Sequence, residues 1–279
     1  MSKKNHFILH EDYMIPRSTL ITCWSEDAGS VGECTSQYLK DNLKSYHMGN
    51  IEPNGYYTMD GVEVDRDIAR FPENTFTYYP DAELVVFEGT PPDHQWFSFV
   101  QTIMDVAQKH CNASQIYTLG GMISIAAHTA PRELLTVASS PEMLHKLKQY
   151  DPITREIDYY QTPPGHRPTI NAYLVWAAQQ RNIEAACLWL PVPFYLAPDK
   201  DPQALRRILD FLTLRHNFNL DFSDIDNDIN TQIDKIAELR SLDTDADDAI
   251  RALENNETVS GEDSQNLISI IQALLKDTS

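Results

Sequence analysis

Glu83-Leu84-Val85-Val86-Phe87-Glu88-Gly89 is the stretch on which the reading of this chain turns. Its apolar run is too short for a buried helix and too uniform for a strand with one wet face. It fits a strand buried on both faces, as in a sheet covered by helices on either side. Upstream, Ser18-Thr19-Leu20-Ile21-Thr22-Cys23-Trp24 is a second run of the same kind. Ser25-Glu26-Asp27-Ala28-Gly29-Ser30 then makes a turn, and Val31, Cys34, Tyr38, Leu39 and Leu43 recur at helical spacing. Ser25 or Asp27 is placed to cap that helix.

Downstream, Pro91-Pro92-Asp93 breaks the strand, and Trp96, Phe99, Val100, Ile103 and Ala107 predict a helix over about 94–110. Ile116-Tyr117-Thr118-Leu119-Gly120-Gly121 reads as a third buried strand, ending on a glycine pair. Leu134-Leu135-Thr136-Val137-Ala138-Ser139 reads as a fourth. A helix over about 169–181 leads into the strand Ile183–Leu190, which runs on into Pro191-Val192-Pro193. Residues 49–81 carry turn signals, Pro53-Asn54-Gly55 and Asp60-Gly61, with Tyr56-Tyr57-Thr58 and Phe76-Thr77-Tyr78-Tyr79 as short strands. Strands alternating with helices predict an α/β fold, a three-layer sandwich around a mostly parallel sheet.

Composition sets outer limits. The chain has 279 residues, 42% of them hydrophobic, enough for a sizeable core. Its 41 acidic and 22 basic residues give a net charge of −19, which repels phosphate backbones and argues against nucleic acid as a partner. His10, Glu11 and Asp12 interrupt the N-terminal region where a signal peptide would need an apolar stretch, and no run of about 18 apolar residues occurs. A cytoplasmic protein with no membrane partner is the expectation. Cys23, Cys34, Cys111 and Cys187 form no C-x-x-C pair, so reduced thiols are expected and no zinc site. Beyond Phe222 there are 14 acidic and 4 basic residues, which accounts for ten of the nineteen negative charges (14 − 4). Ile225, Ile229, Ile233, Ile236 and Leu239 make one helical stripe there; Leu267, Ile268, Ile271, Leu274 and Leu275 make another. The chain therefore divides into an α/β domain, 1–221, and an acidic helical extension, 222–279.

Four landmarks in order resemble the proteasome assembly chaperone 2 family. They are Trp24-Ser25-Glu26-Asp27-Ala28-Gly29; Phe87-Glu88-Gly89-Thr90-Pro91-Pro92 with Trp96; Leu119-Gly120-Gly121; and Ala186-Cys187-Leu188-Trp189-Leu190-Pro191-Val192-Pro193-Phe194-Tyr195. The acidic helical tail also looks like the extension of bacterial members. The resemblance implies a fold akin to nucleoside phosphorylases and association with like or related chains, as a homo-oligomer and by family a trimer. It further implies an assembly-chaperone role toward a protein client and no cofactor. Two features depart from the family. The chain ends Leu275-Lys276-Asp277-Thr278-Ser279, without the hydrophobic-Tyr-any tail by which some archaeal relatives contact the proteasome. Pro163-Pro164-Gly165-His166-Arg167-Pro168-Thr169 is bulkier and more basic than the family's turn before its helix.

Chemistry-bearing residues gather where strands end. In open α/β sheets, ligand crevices form beyond the carboxyl ends of the strands. The turn Asp27, Gly29 and Ser30, the pair Glu88 and Gly89, and the pair Gly120 and Gly121 are therefore candidate ligand residues, with His128 as the nearest acid or base. The competing reading is structural: a capped helix, glycines at turns, a packed histidine. His166 with Arg167 is a second candidate anion loop. The dinucleotide and phosphate-loop glycine patterns are absent. So is a G-x-S-x-G elbow, Ser124 having the wrong spacing for a nucleophile. A non-catalytic protein binder leads; a nucleoside- or phosphate-like ligand in a strand-end crevice is the alternative.

Overall fold

The computed structural model describes residues 7–58, 63–65, 68–150, 155–156 and 168–276. In chain order the strands and helices are β1 (Phe7–Leu9), β2 (Ser18–Trp24), α1 (Val31–Asn42), β3 (Tyr46–Ile51), β4 (Glu63–Asp65), β5 (Ile68–Arg70), β6 (Thr75–Tyr79) and β7 (Leu84–Gly89). Next come α2 (Trp96–Lys109), β8 (Ala113–Ser124), β9 (Leu135–Ala138), α3 (Pro141–Tyr150), β10 (Arg155–Glu156), α4 (Ile170–Gln180) and β11 (Glu184–Pro193). Four helices follow: α5 (Pro202–His216), α6 (Ser223–Leu242), α7 (Thr244–Glu254) and α8 (Gly261–Lys276).

The α/β architecture expected from the alternating runs is present. Among the described residues one sheet has the order β1-β3-β6-β7-β2-β8-β11-β9-β10, and β4 and β5 pair separately. Its four central strands, β7, β2, β8 and β11, are parallel neighbours and are four of the five long runs expected as strands; the fifth, 134–139, forms β9, which lies outside them and is only partly buried. Outside them the sheet is mixed. β6 and β7 are joined by a single turn over Pro80–Ala82, a link short enough only for antiparallel strands, and β1, β3 and β6 continue antiparallel. On the other side β9 runs antiparallel to β11, and β10 parallel to β9.

Side-chain alternation splits the core in two. Ile21, Cys23, Leu84, Val86, Tyr117, Leu119, Ala186 and Leu188 belong to one buried cluster, under α1, α3 and α5. Leu20, Trp24, Val85, Phe87, Ile116, Ala185 and Cys187 belong to the other, under α2 and α4. This two-sided burial is why the interior strands lack polar positions. The acidic region contributes to the first cluster: Ile225, Ile236, Ile250, Leu253, Leu267 and Ile271 are buried in it. Tyr38 Oη also donates to the Asp221 carbonyl at 2.5 Å.

Several expectations need correction. Tyr56-Tyr57-Thr58 is not a strand: Gly55 takes a φ of 85° and the backbone turns, so that the Tyr56 N–H donates to the Pro53 carbonyl. Two helical stripes were expected after residue 222, and three helices form; α7 buries Ala246, Ala249, Ile250 and Leu253. Helices α3 and α5 and strands β1 and β3 were not expected either. The Asp60-Gly61 turn lies outside the described residues. No described helix is long and apolar enough to cross a membrane.

Candidate functional site

Beyond the carboxyl ends of β2, β8 and β11 lies a crevice of about 670 Å³. Its lining includes Trp24, Glu26 and Asp27 from the end of β2 and the turn after it, Gly121 and Ile123 from β8, and Asn171 from the start of α4. Trp189, Ala197 and Pro198 line it from β11 and the following turn. Its position follows from topology: where parallel strands stop, the turns to their helices diverge and leave a hollow.

Asp27 joins two of these turns. Its carboxylate accepts the Gly121 N–H at 2.7 Å and the Gly32 N–H at 3.2 Å, tying the first turn of α1 to β8. It thus serves the helix end, as its sequence position suggested, but from outside the first turn. Burial raises the Asp27 pKa to about 6, partly offset by the N–H donors of Gly121 and Gly32. The intervening turn is tight. Gly29 has a φ of 70°, a conformation open to glycine, and lies against Val192 and Asp201. Its N–H donates to the Ala197 carbonyl at 2.9 Å, and its carbonyl accepts from Asp201 N at 3.1 Å. Ser30 is also left-handed, with a φ of 49°.

Asn171 organises the side under α4. Its Oδ1 accepts from Trp24 Nε1 at 2.5 Å and from the Thr118 hydroxyl, while its Nδ2 donates to the Leu119 carbonyl at 3.2 Å. The amide is buried and held through both its oxygen and its nitrogen, which fixes the Trp24 indole against the crevice. Gly120 leaves room for Trp189: a Cβ there would stand 2.6 Å from the indole ring. Thr169 caps α4, accepting from Ala172 N at 3.2 Å.

The candidate residues therefore separate. Asp27, Ser30 and Gly121 line the crevice, and Gly29 and Gly120 shape its walls from behind. Glu88 and Gly89 are not part of it. Glu88 points toward α1, accepting from Ser36 Oγ at 2.7 Å and pairing with Lys40. Gly89 packs against Asn74 and Phe87. His128 also lies elsewhere, its N–H donating to Tyr195 Oη at 2.6 Å while that hydroxyl lies 2.8 Å from Nδ1. Burial lowers the His128 pKa to about 4, consistent with a neutral packed ring. Ser124 Oγ accepts the Ala126 N–H, a turn contact. His166 and Arg167 lie outside the described residues. Sequence reasoning missed Asn171, although Thr169 two positions earlier marks the helix start that places it.

One consequence is measurable. The folded Asp27 holds its proton up to about pH 6, whereas an unfolded aspartate releases it near its ordinary value of 3.8. Between these values the folded chain binds more protons than the unfolded one, so stability falls as pH rises through the window. Asp27→Asn removes this slope while leaving every other titrating group in place. The urea midpoint of the wild type minus that of Asp27→Asn is expected to fall from pH 4 to about pH 6.5 and then level off. A flat difference across that range would contradict the burial of the carboxyl.

A family model described as the PAC2 family matches residues 25–240. No curated protein matches. Among solved structures, a Corynebacterium glutamicum protein of unknown function is similar with a TM-score of 0.76 and 17% identity, over 90% of this chain and 96% of that one. A Mycobacterium tuberculosis proteasome-assembly chaperone homologue gives 0.64 and 18%, over 79% and 94% of the two chains. A Pyrococcus furiosus archaeal proteasome activator gives 0.66 and 17%, over 84% and 98%. At these identities the likeness is one of fold.

Proposed function

The chain belongs to the PAC2 family, and from that premise we propose that it is a non-catalytic, assembly-chaperone-like protein that binds other polypeptides and associates with itself. Its client is a subunit of a larger assembly, and it works in the cytoplasm without a cofactor. The α/β domain of residues 1–221 supplies the binding surface, with the acidic helices of 222–279 packed on it.

The observation that carries this reading is apolar surface where the family fold ends its strands. Ile123 in the crevice wall and Ile125 two residues on are 66% and 74% exposed. On neighbouring α2 and α4, Phe97 and Trp176 are exposed as well, and Trp176 stacks on Tyr173 with ring centroids 5.4 Å apart. Contiguous exposed apolar surface marks protein contact sites, and we take these side chains as parts of such a surface. Light scattering after size-exclusion chromatography tests the self-association: a discrete oligomer is expected across micromolar concentrations. A monomer throughout would remove that half of the reading.

The volume of the crevice favours a second reading, since small-molecule sites typically fall between about 300 and 1,000 Å³. A nucleoside- or phosphate-like ligand would raise the melting temperature of the full chain in a thermal-shift screen. Silence across nucleosides, nucleotides and inorganic phosphate would leave the protein-binding reading alone.

A further inference from the structure

β8 outruns its neighbour. β2 pairs with it only as far as Thr22 opposite Thr118, whereas β11 stays paired with it to Pro193 opposite Ser124. Among the described residues, 119–124 therefore have a strand on one side only. Successive residues of a parallel strand direct their backbone groups to alternate sides. The Gly121 N–H points to the β2 side, where it meets Asp27, and the Ser124 carbonyl points to the β11 side, where it accepts from Phe194 N at 2.9 Å. Ile123 accordingly turns its N–H and C=O the same way as Gly121, into the crevice whose wall it forms. Sheets normally cover, charge or shorten such an edge. Here the Asp27 carboxylate takes the Gly121 N–H, and the edge beyond it runs beside a hollow with Ile123 on it and Ile125 just after the strand.

The charge of the hollow selects the occupant. Of the described residues lining it, Glu26 and Asp27 are the ones with ionisable side chains, and both are acids. The chain as a whole carries −19, so a second copy meets general repulsion at this edge. We infer that the overhang of β8 at Gly121–Ile123 captures an extended, basic polypeptide segment of a partner, which adds as a short strand beside β8 with a lysine or arginine toward Glu26 and Asp27. Backbone hydrogen bonds to Ile123 and the Gly121 carbonyl supply the pairing. Ile123 and Ile125 meet apolar side chains, and the two carboxylates choose against acidic sequences. This inference rests on the protein-binding reading above and names the class of partner for the crevice.

The test uses the full chain and short fluorescein-labelled peptides read by anisotropy. A peptide alternating lysine and valine is expected to bind. The same peptide with its alternate backbone nitrogens methylated is expected to bind about tenfold more weakly or worse, having lost the pairing hydrogen bonds. A glutamate–valine peptide is expected not to bind. Glu26→Gln, at an exposed position, is expected to weaken the lysine peptide several-fold, and more so at low salt. Equal binding of the methylated peptide, or of the acidic one, would overturn the inference. So would binding that appears only as the protein dissociates on dilution, which would make a second copy the occupant. If no peptide binds while light scattering still shows a discrete oligomer, this inference fails and the protein-binding reading stands.

Discussion

Gly121→Ala is expected to destabilise the protein by about 3 kcal/mol or more, the upper range for overpacking, because the new methyl has nowhere to go. A Cβ at this position would overlap the carbonyl oxygen of Ala28, which is backbone and cannot rotate away. Relief requires the 28–30 turn to move. That turn is held by the Gly29 bonds to Ala197 and Asp201 and by the Asp27 bridge from Gly121 to Gly32. One methyl therefore disturbs the ends of β8 and β11 and the starts of α1 and α5 together. Gly261→Ala is the matched control, since nothing lies within 4 Å of a Cβ there. Urea denaturation of both variants makes the comparison. A Gly121→Ala midpoint equal to that of Gly261→Ala would show that the turn does not press on β8.

Arg132→Met is expected to cost about 3–5 kcal/mol, as is usual when one partner of a buried ion pair is removed. Arg132 Nε donates to Asp201 Oδ2 at 2.8 Å, and the side chains are 3% and 0% exposed. Arg132 Nη1 also donates to the Ala130 carbonyl at 2.7 Å, holding the loop after β8. The other carboxylate oxygen of Asp201 accepts from Gln203 N and Ala204 N at 3.0 and 3.1 Å, capping α5. Without the guanidinium, a buried negative charge keeps its cap but loses its counterion. Adding Asp201→Asn removes the charge and leaves an oxygen for the cap. The double variant should therefore recover about 1–3 kcal/mol relative to the sum of the single changes. Strict additivity in the double-mutant cycle would mean that the pair is not coupled in solution.

The interior of the fold was legible because its signal needs no partner. The runs at 18–24, 83–89, 116–121 and 183–190 are apolar at nearly every position, and only burial on both faces tolerates that. The mixed edges were less legible: β1 and β3 are short or polar at alternate positions, and β9, though expected as a strand, is half-buried and runs antiparallel to β11, a direction set by its connections. Tyr56-Tyr57-Thr58 shows turn chemistry overriding strand propensity, with Gly55 at positive φ. Helix α5 did carry a signal that was passed over, Asp201 followed by Pro202, the cap and first-turn pair that starts it.

The candidate site was legible by half. Asp27, Ser30 and Gly121 follow from the rule that parallel strands end at a shared crevice. Glu88 also ends a strand, but alternation puts it on the same face as Leu84 and Val86, toward α1, where Lys40 on that helix's last turn pairs with its carboxylate. Asn171 could not be connected to Trp24 across 147 residues of sequence, since only the packed fold brings the amide to the indole. The length by which β8 overruns β2 was equally hidden, because it depends on where the neighbouring strand turns away.

Hydrogen exchange of the full chain with and without the lysine–valine peptide bears most directly on whether this fold works by holding a polypeptide at its strand ends. The Ile123 amide is expected to exchange freely in the unbound protein and to become protected on binding, while amides of α2 and α4 stay unchanged. Protection confined to those helices, with Ile123 exchanging as before, would place the contact on another face and contradict a strand-end binding site.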